Sequence, residues 1–364
     1  MKAAFFDACG AARDVLRVGD MPEEPPGPGM VQVRVAVSGV NPSDVKTRAG
    51  LGARANPWPR TIPHQDGAGI IEQVGAGVDA SRVGQRVWLY ECQLGRPHGT
   101  AAQRVTVPEG LAVPLPDGVS MDIGASLGVP ALTAWYCNAQ VEAQPGRCVL
   151  VHGAVGAVGF YAAQMARLRG AEVLASVSND DQARIAQAAG IETAPRGPGL
   201  APAAQQWLTR RQRDGFDAFI DLDFAGNLPV NLLLAENGAQ IAAYASDTDL
   251  HPALPVRDLM RRNLRLAFLL VYTMPPVVKQ QAIAQLTQWL QDGALHHAQV
   301  HPYALDDVAL AHEAVETRRH VGKVVVIPDG GAGPFSTAKQ ASSTRPGWME
   351  LISFDPASGT TSRV

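Results

Sequence analysis

The chain has 364 residues, 46% of them hydrophobic and 18% charged, with a formal net charge of −3. That length suits about two domains of roughly 100–200 residues each, and the composition describes a globular protein able to bury a sizeable interior. No stretch clusters Lys and Arg, so neither nucleic acid nor an anionic membrane surface is an electrostatically favoured partner.

Met1 to Leu16 carries Asp7 within its apolar part and has no sustained hydrophobic run, which argues against a signal peptide. The most apolar segment, Leu264 to Met274, is far shorter than the roughly 20 residues of a membrane helix. Cys9, Cys92, Cys137 and Cys148 are scattered without a Cys-x-x-Cys pair. This spacing fits neither a disulfide framework nor a cysteine-built metal site, and it suits a reducing cytoplasm.

The first third reads as β-rich. Val31, Val33, Val35 and Val37 alternate with Gln32, Arg34, Ala36 and Ser38, the period of a half-buried strand. Ile70 to Val74 and Val105 to Val107 are further strands, and dense Gly and Pro punctuation suggests short strands with tight turns. From about Ile123 strands alternate with helices. The strands are Cys148–His152, Glu172–Val177, Phe216–Asp221, Ala239–Tyr244 and Leu264–Tyr272; helices cover Val158–Arg169 and Asp180–Ala189, stopped by Gly170 and Gly190. Such alternation implies an α/β fold with a doubly wound parallel sheet. A helix over Val278–Leu290, a strand from His301 to Leu305, another helix and a strand over Lys323–Ile327 follow. The stretch Asp329–Val364 is rich in Gly, Ser, Thr and Ala and lacks periodicity, so it reads as a disordered tail outside the fold.

The most informative segment joins the first strand of the alternating region to its helix. In Gly153-Ala154-Val155-Gly156-Ala157-Val158-Gly159 the chain turns too tightly for side chains, and the following helix offers free N–H groups and a positive dipole end to a pyrophosphate. At the end of the next strand, NAD-specific sites place an acidic residue for the ribose 2′-hydroxyl. Here Ser176-Val177-Ser178-Asn179 precede the first acids, Asp180 and Asp181, which serve as first-turn residues of the next helix. Small hydroxyls at Ser176 and Ser178 leave room for a 2′-phosphate, with Arg184 one turn into the helix, so NADPH is favoured over NADH. Alternatively, both serines merely finish a strand and cap a helix.

With Gly39-Val40-Asn41-Pro42-Ser43-Asp44 and Gly128-Val129-Pro130-Ala131-Leu132-Thr133-Ala134 added to that loop, the chain resembles zinc-independent quinone oxidoreductases of the medium-chain dehydrogenase/reductase superfamily, the zeta-crystallin-like branch. The resemblance runs from Met1 to about Pro328. It implies a Rossmann doubly wound parallel sheet inserted into a GroES-like β-barrel domain, with residues 1–124 and 273–328 forming the barrel domain, 125–272 the nucleotide domain and 329–364 the tail. It also implies a homodimer joined along the strand Leu264–Tyr272.

Zinc-dependent relatives supply cysteine, histidine and cysteine where this chain has Asn41, Gln65 and Val129, none of them a good zinc ligand. His64, one position displaced, reads as structural. Without a Lewis acid, alcohol oxidation is a poor candidate, whereas quinones and conjugated enones need only a few hydrogen-bond donors to take a hydride. By resemblance, Asn41 donates to the substrate carbonyl and also touches the cofactor. Lys46 stands where many quinone reductases carry tyrosine, either as a catalytic ammonium or as solvated surface, and Asp44 either orients Lys46 or caps the turn. Thr133, Tyr244, Phe268, Leu269 and Val271 are implied cofactor contacts, the last four doubling as apolar core. His98 and the loop from Gly50 to Arg60 are expected to line or shape the cleft. The resulting expectation is NADPH-dependent quinone reduction. Reduction of an enone or enoyl double bond is the alternative enzyme, and a catalytically silent NADPH-binding sensor or structural protein the alternative of another class.

Overall fold

The protein is described here by a computed structural model covering residues 1–51 and 57–329, with the backbone of 352–354 and 361–363. The N-terminal part contains β1 (Lys2–Phe5), α1 (Ala12–Val15), β2 (Arg17–Asp20), β3 (Met30–Gly39), α2 (Pro42–Ala49), β4 (Asp66–Val74), β5 (Arg86–Leu89), β6 (Arg104–Pro108) and β7 (Ala112–Pro114). After α3 (Met121–Gly124) and α4 (Gly128–Gln140) the alternating region begins. It comprises β8 (Cys148–Val151), α5 (Ala157–Leu168), β9 (Glu172–Val177), α6 (Asp180–Ala188), β10 (Glu192–Pro195), α7 (Leu200–Thr209), β11 (Phe216–Asp221), α8 (Phe224–Leu234), β12 (Ala235–Ala243), α9 (Val256–Arg261) and β13 (Arg265–Phe268). The chain then returns through α10 (Pro276–Gln291), β14 (Val300–Ala304), α11 (Val308–Glu316) and β15 (Lys323–Ile327).

Six parallel strands form one sheet in the order β10-β9-β8-β11-β12-β13. The order reverses between β8 and β11, the point at which doubly wound sheets open a crevice for a ligand. Alternate residues of these strands enter two cores. Val149, Val151, Ala218 and Ile220 pack on one face and Cys148, Leu150, Phe219 and Ile241 on the other, as a sheet covered by helices on both sides requires.

The second sheet, β14-β15-β3-β4-β5-β7 with β6 on β3, draws its strands from both ends of the sequence. Val325 and Val326 of β15 pair with Gly39 and Ser38 of β3, so the chain's return completes the N-terminal barrel. Val31, Val33 and Val35 of the predicted alternating strand are fully buried and pack with Ile71, Val87 and Val105. The expected fold class therefore holds: a Rossmann-type sheet inserted into a GroES-like barrel.

The last Rossmann strand is shorter than expected. β13 ends at Phe268 because its partner ends there too, Phe268 pairing with Ala243, the final residue of β12. Val271–Thr273 instead form a 3-10 turn, which carries Tyr272 away from the sheet. Pro334–Val364 form a separate unit, in which Ile352–Phe354 and Thr361–Arg363 pair as antiparallel strands. The rest of the segment read as a tail, and residues 52–56 of the loop expected to shape the cleft, lie outside the described residues.

Candidate active site

The glycine loop lies at the carboxyl end of β8, beside the switch point. Gly153 has φ of 75°, a left-handed conformation that disfavours a side chain. A Cβ on Gly159 would stand 2.1 Å from the Gly153 carbonyl oxygen, so α5 can approach β8 this closely only with glycine there. Ser176 locks the turn from β9: its Oγ accepts the Gly153 N–H at 3.0 Å and its carbonyl accepts the Ala154 N–H at 2.9 Å. Gly156 is exposed at the N-cap of α5, followed by Ala157 and Val158, while Ala154 and Val155 are buried. The loop thus forms an N–H-lined cradle of the kind that holds a pyrophosphate.

The residues expected at the ribose phosphate divide. Ser176 is buried and committed to bracing the loop, which replaces the expected open position beside a phosphate. Ser178 is exposed, with its N–H donating to Gln182 Oε1. Arg184 is exposed and paired with Asp181 one helical turn back. Arg196, unremarked in the sequence, follows β10 and donates to Ser178 Oγ at 3.4 Å. Its position depends on β10 lying beside β9, a pairing that local pattern does not reveal.

Asn41 is the N-cap of α2 in the barrel domain and is buried. Its amide nitrogen donates to Asp66 Oδ2 at 2.8 Å, and its amide oxygen accepts from Lys323 Nζ. One amide N–H is left for any other partner, so its environment is more constrained than expected. Asp66 also accepts the Val129 N–H at 2.9 Å and lies 3.6 Å from the Lys323 ammonium. Burial pushes the Asp66 carboxyl up and the Lys323 ammonium down, and their mutual attraction offsets part of each shift.

Asp44 caps α2, accepting the Asn41 N–H at 2.8 Å and the Gln65 N–H at 3.2 Å. It does not orient Lys46, whose ammonium is held by Asp247 at 2.6 Å. That pair joins the barrel lobe to the loop after β12, and both side chains stay more than two-fifths exposed. Burial, then the neighbouring Asp66 charge, raises Asp44 to about 7, against the favourable pull of Lys323 and the two N–H donors. A carboxyl that holds its proton in the folded state stabilises most at low pH and loses that contribution as pH rises through about 7. His64 and His312 act oppositely: burial lowers both, so their contribution is present above about 6.5 and lost as pH falls. Asp44→Asn is therefore expected to gain about 1 kcal/mol relative to the wild type between pH 6 and 8. Urea midpoints across that range test it; parallel pH curves for the two proteins would refute it.

The positions corresponding to zinc ligands in relatives do not fit a metal. Gln65 is buried, its amide bonded to Gln93 Oε1 at 3.1 Å, and Val129 has no donor side chain. His64 bonds through Nδ1 to Ser38 Oγ at 2.8 Å and through Nε2 to His312 Nε2 at 2.9 Å. Both ring nitrogens therefore face partners within the barrel. Among the described residues no group of three or more His, Cys, Asp or Glu is arranged to hold a metal ion.

Thr133 turns its hydroxyl back to the Val129 carbonyl at 2.6 Å. Tyr244 and Leu269 flank the same apolar cluster as Val129 and Tyr272, with Val271 buried in it. Phe268 departs from the expectation of a core contact: it is 64% exposed and packs edge-to-face on Phe224. His98 leans toward Glu24, with 3.3 Å between Nδ1 and Oε2. Tyr272, missed in the sequence because the strand was read through it, places its hydroxyl 2.8 Å from Ser43 Oγ on α2.

A glycine-rich loop at the switch point of a doubly wound sheet, inserted into a GroES-like barrel, is the architecture of a two-domain oxidoreductase. In fold and in both matched domains the chain resembles the medium-chain dehydrogenase/reductase superfamily. Residues 27–117 match the alcohol dehydrogenase GroES-like domain and residues 201–326 the zinc-binding dehydrogenase family. It is similar to a probable quinone oxidoreductase of Schizosaccharomyces pombe, 28% identical over 83% of this chain and 90% of that one. A quinone oxidoreductase of Rattus norvegicus is 27% identical over 86% and 94% of the two chains. Among solved structures, an NAD-dependent alcohol dehydrogenase is 27% identical with a TM-score of 0.79, covering 90% of this chain and 99% of that one. A mycobacterial protein complexed with NADPH is 26% identical, also at 0.79, over 90% and 100%.

Proposed function

We propose that the protein is a zinc-independent reductase that passes a hydride from NADPH to quinones. The observation that carries this reading is the cradle at the switch point, where the approach of Gly159 to the Gly153 carbonyl leaves no space for a side chain. Residues 153–159 would hold the pyrophosphate, with Ser178, Arg184 and Arg196 beside the 2′-phosphate and Thr133, Tyr244, Leu269 and Val271 along the nicotinamide. When bound, NADPH supplies a hydride. The relatives bearing the name quinone oxidoreductase and the NADPH complex of a similar protein support the choice of electrophile and cofactor.

The chain's own residues supply orientation and charge balance. Asn41 keeps one amide N–H uncommitted, and Lys323 keeps that amide from rotating by engaging its oxygen. Lys46 and Asp247 hold the two lobes together at the rim, where exposure limits the pair to at most about 1 kcal/mol. Zinc takes no part in this reading, because the amides and apolar side chain at the ligand positions are poor metal donors. We assign the protein to a reducing, cytoplasmic setting, consistent with its four free cysteines. We also propose a homodimer that pairs through the edge strand β13, where Phe268 and, just beyond the strand, Leu270 are exposed.

Purified protein with a chelator present is expected to oxidise NADPH faster than NADH when given ortho- or para-quinones. Quinol should appear in proportion to the NADPH consumed. Saturated carbonyl products from simple enones, without quinone turnover, would establish the double-bond reductase instead. NADPH binding without turnover on any acceptor would establish the silent binder, and chelator-sensitive activity would overturn zinc independence.

A further inference from the structure

The two donors expected to meet the substrate oxygen both have partners: the Asn41 amide lies between Asp66 and Lys323, and the Lys46 ammonium rests on Asp247. A different pair of donors bridges the two lobes. Ser43 stands in the first turn of α2, two residues from Asn41, and Tyr272 in the turn that follows β13 at the carboxyl end of the sheet. Their hydroxyl oxygens are 2.8 Å apart, across the two lobes.

Two hydroxyls carry two protons, and their mutual bond uses one. Among the described residues neither oxygen has another hydrogen-bond partner, so one O–H remains for a third oxygen. Both side chains are half-buried, neither sealed off nor freely solvated. We infer that Tyr272 and Ser43 form a hydroxyl clamp that hydrogen-bonds the oxygen on which negative charge develops in a reduced quinone or enone. The inference rests on the reductase reading above and names the residues that would perform its charge stabilisation.

The charges around the clamp suit a neutral donor. Burial, followed by the nearby Asp44, Asp66 and Glu91 carboxylates, holds the Tyr272 phenol well above its ordinary range, so it keeps its proton throughout the working pH range. Those carboxylates have partners of their own: the Asn41 and Gln65 N–H groups for Asp44, Lys323 for Asp66 and Lys279 for Glu91. A hydrogen bond from a preorganised neutral hydroxyl stabilises an oxyanion without giving up its proton. The proton that completes the quinol or saturated carbonyl comes from water, and Tyr272 stays protonated throughout.

The test uses Tyr272→Phe and Ser43→Ala in the full chain. Tyr272→Phe is expected to lower kcat about 100–1,000-fold, the scale of losing one oxyanion donor, with a smaller loss for Ser43→Ala. NADPH affinity and the urea midpoint should remain those of the wild type. The loss should be equal at pH 6 and pH 8, because the phenol does not titrate between them. A second readout is 4-nitrophenolate binding to the NADP-loaded protein, expected to weaken about tenfold in Tyr272→Phe. If the wild type reduces no acceptor while this weakening is seen, the reductase reading fails and the clamp stands. Wild-type turnover and phenolate affinity in Tyr272→Phe would overturn the clamp. So would an equal loss of NADPH affinity, or a wild type that neither turns over nor binds the phenolate.

Discussion

Lys323→Met is expected to destabilise the folded protein by about 3–5 kcal/mol at pH 8, the usual cost of stranding one partner of a buried ion pair. Lys323 and Asp66 are both almost wholly buried, with Asn41 bridging them. Without the ammonium, Asp66 keeps only the Asn41 amide and the Val129 N–H beside it. The loss should shrink toward pH 5, because the Asp66 carboxyl, already raised by burial, can then take up a proton and remain buried without charge. Urea midpoints at the two pH values measure this, and a loss of equal size at both would show that packing, not charge, is the cause. Turnover by any surviving folded fraction should fall as well, since the Asn41 amide loses the partner that fixes its orientation. Lys323→Arg would retain the charge but must fit a larger planar head into the same space.

The reason Lys323 escaped notice in the sequence explains what is and is not legible there. As the first residue before a run of valines, it reads as a solvated strand end. It is buried because β15 lies between β14 and β3, through a pairing of Val325 with Gly39 that spans most of the chain. Local periodicity carries no information about such a partner. Tyr272 and Arg196 were hidden for the same reason, one by the early end of β13 and the other by the placement of β10 beside β9. β10 has Glu192 and Pro195 at its ends, and α8 carries Pro229 in its interior, so neither shows an ordinary strand or helix pattern. The alternating strand around Val33, the glycine loop and the strand–helix rhythm were readable because their meaning is contained within a few residues. The family motif singled out Asn41 as a contact for substrate and cofactor, while its hydrogen-bond partners, which limit what its amide can do, come from distant parts of the chain.

Two glycines in the loop are expected to separate packing from ligand approach. At Gly159 an added Cβ meets the Gly153 carbonyl oxygen at 2.1 Å and its carbonyl carbon at 2.9 Å. Both are backbone atoms, so no side-chain rotation can relieve the contact, and α5 must move away from β8. Gly159→Ala should therefore cost about 1–3 kcal/mol in stability and weaken NADPH binding at least 100-fold by moving the helix N-terminus off the phosphate position. At Gly156 the nearest contact of an added Cβ is the same carbonyl at 3.4 Å, an ordinary van der Waals distance. The exposed N-cap should accept alanine with little change in stability, but the methyl group would project where backbone is meant to touch phosphate. Gly156→Ala should thus retain the wild-type urea midpoint within about 0.5 kcal/mol while weakening NADPH roughly tenfold, a loss of about 1.4 kcal/mol. Calorimetric binding measurements and urea titrations on the same preparations would resolve the two effects. Gly159→Ala binding NADPH as the wild type does would show that the cofactor does not rest on this loop, whereas a stability loss at Gly156 equal to that at Gly159 would show that both glycines serve only the packing of α5.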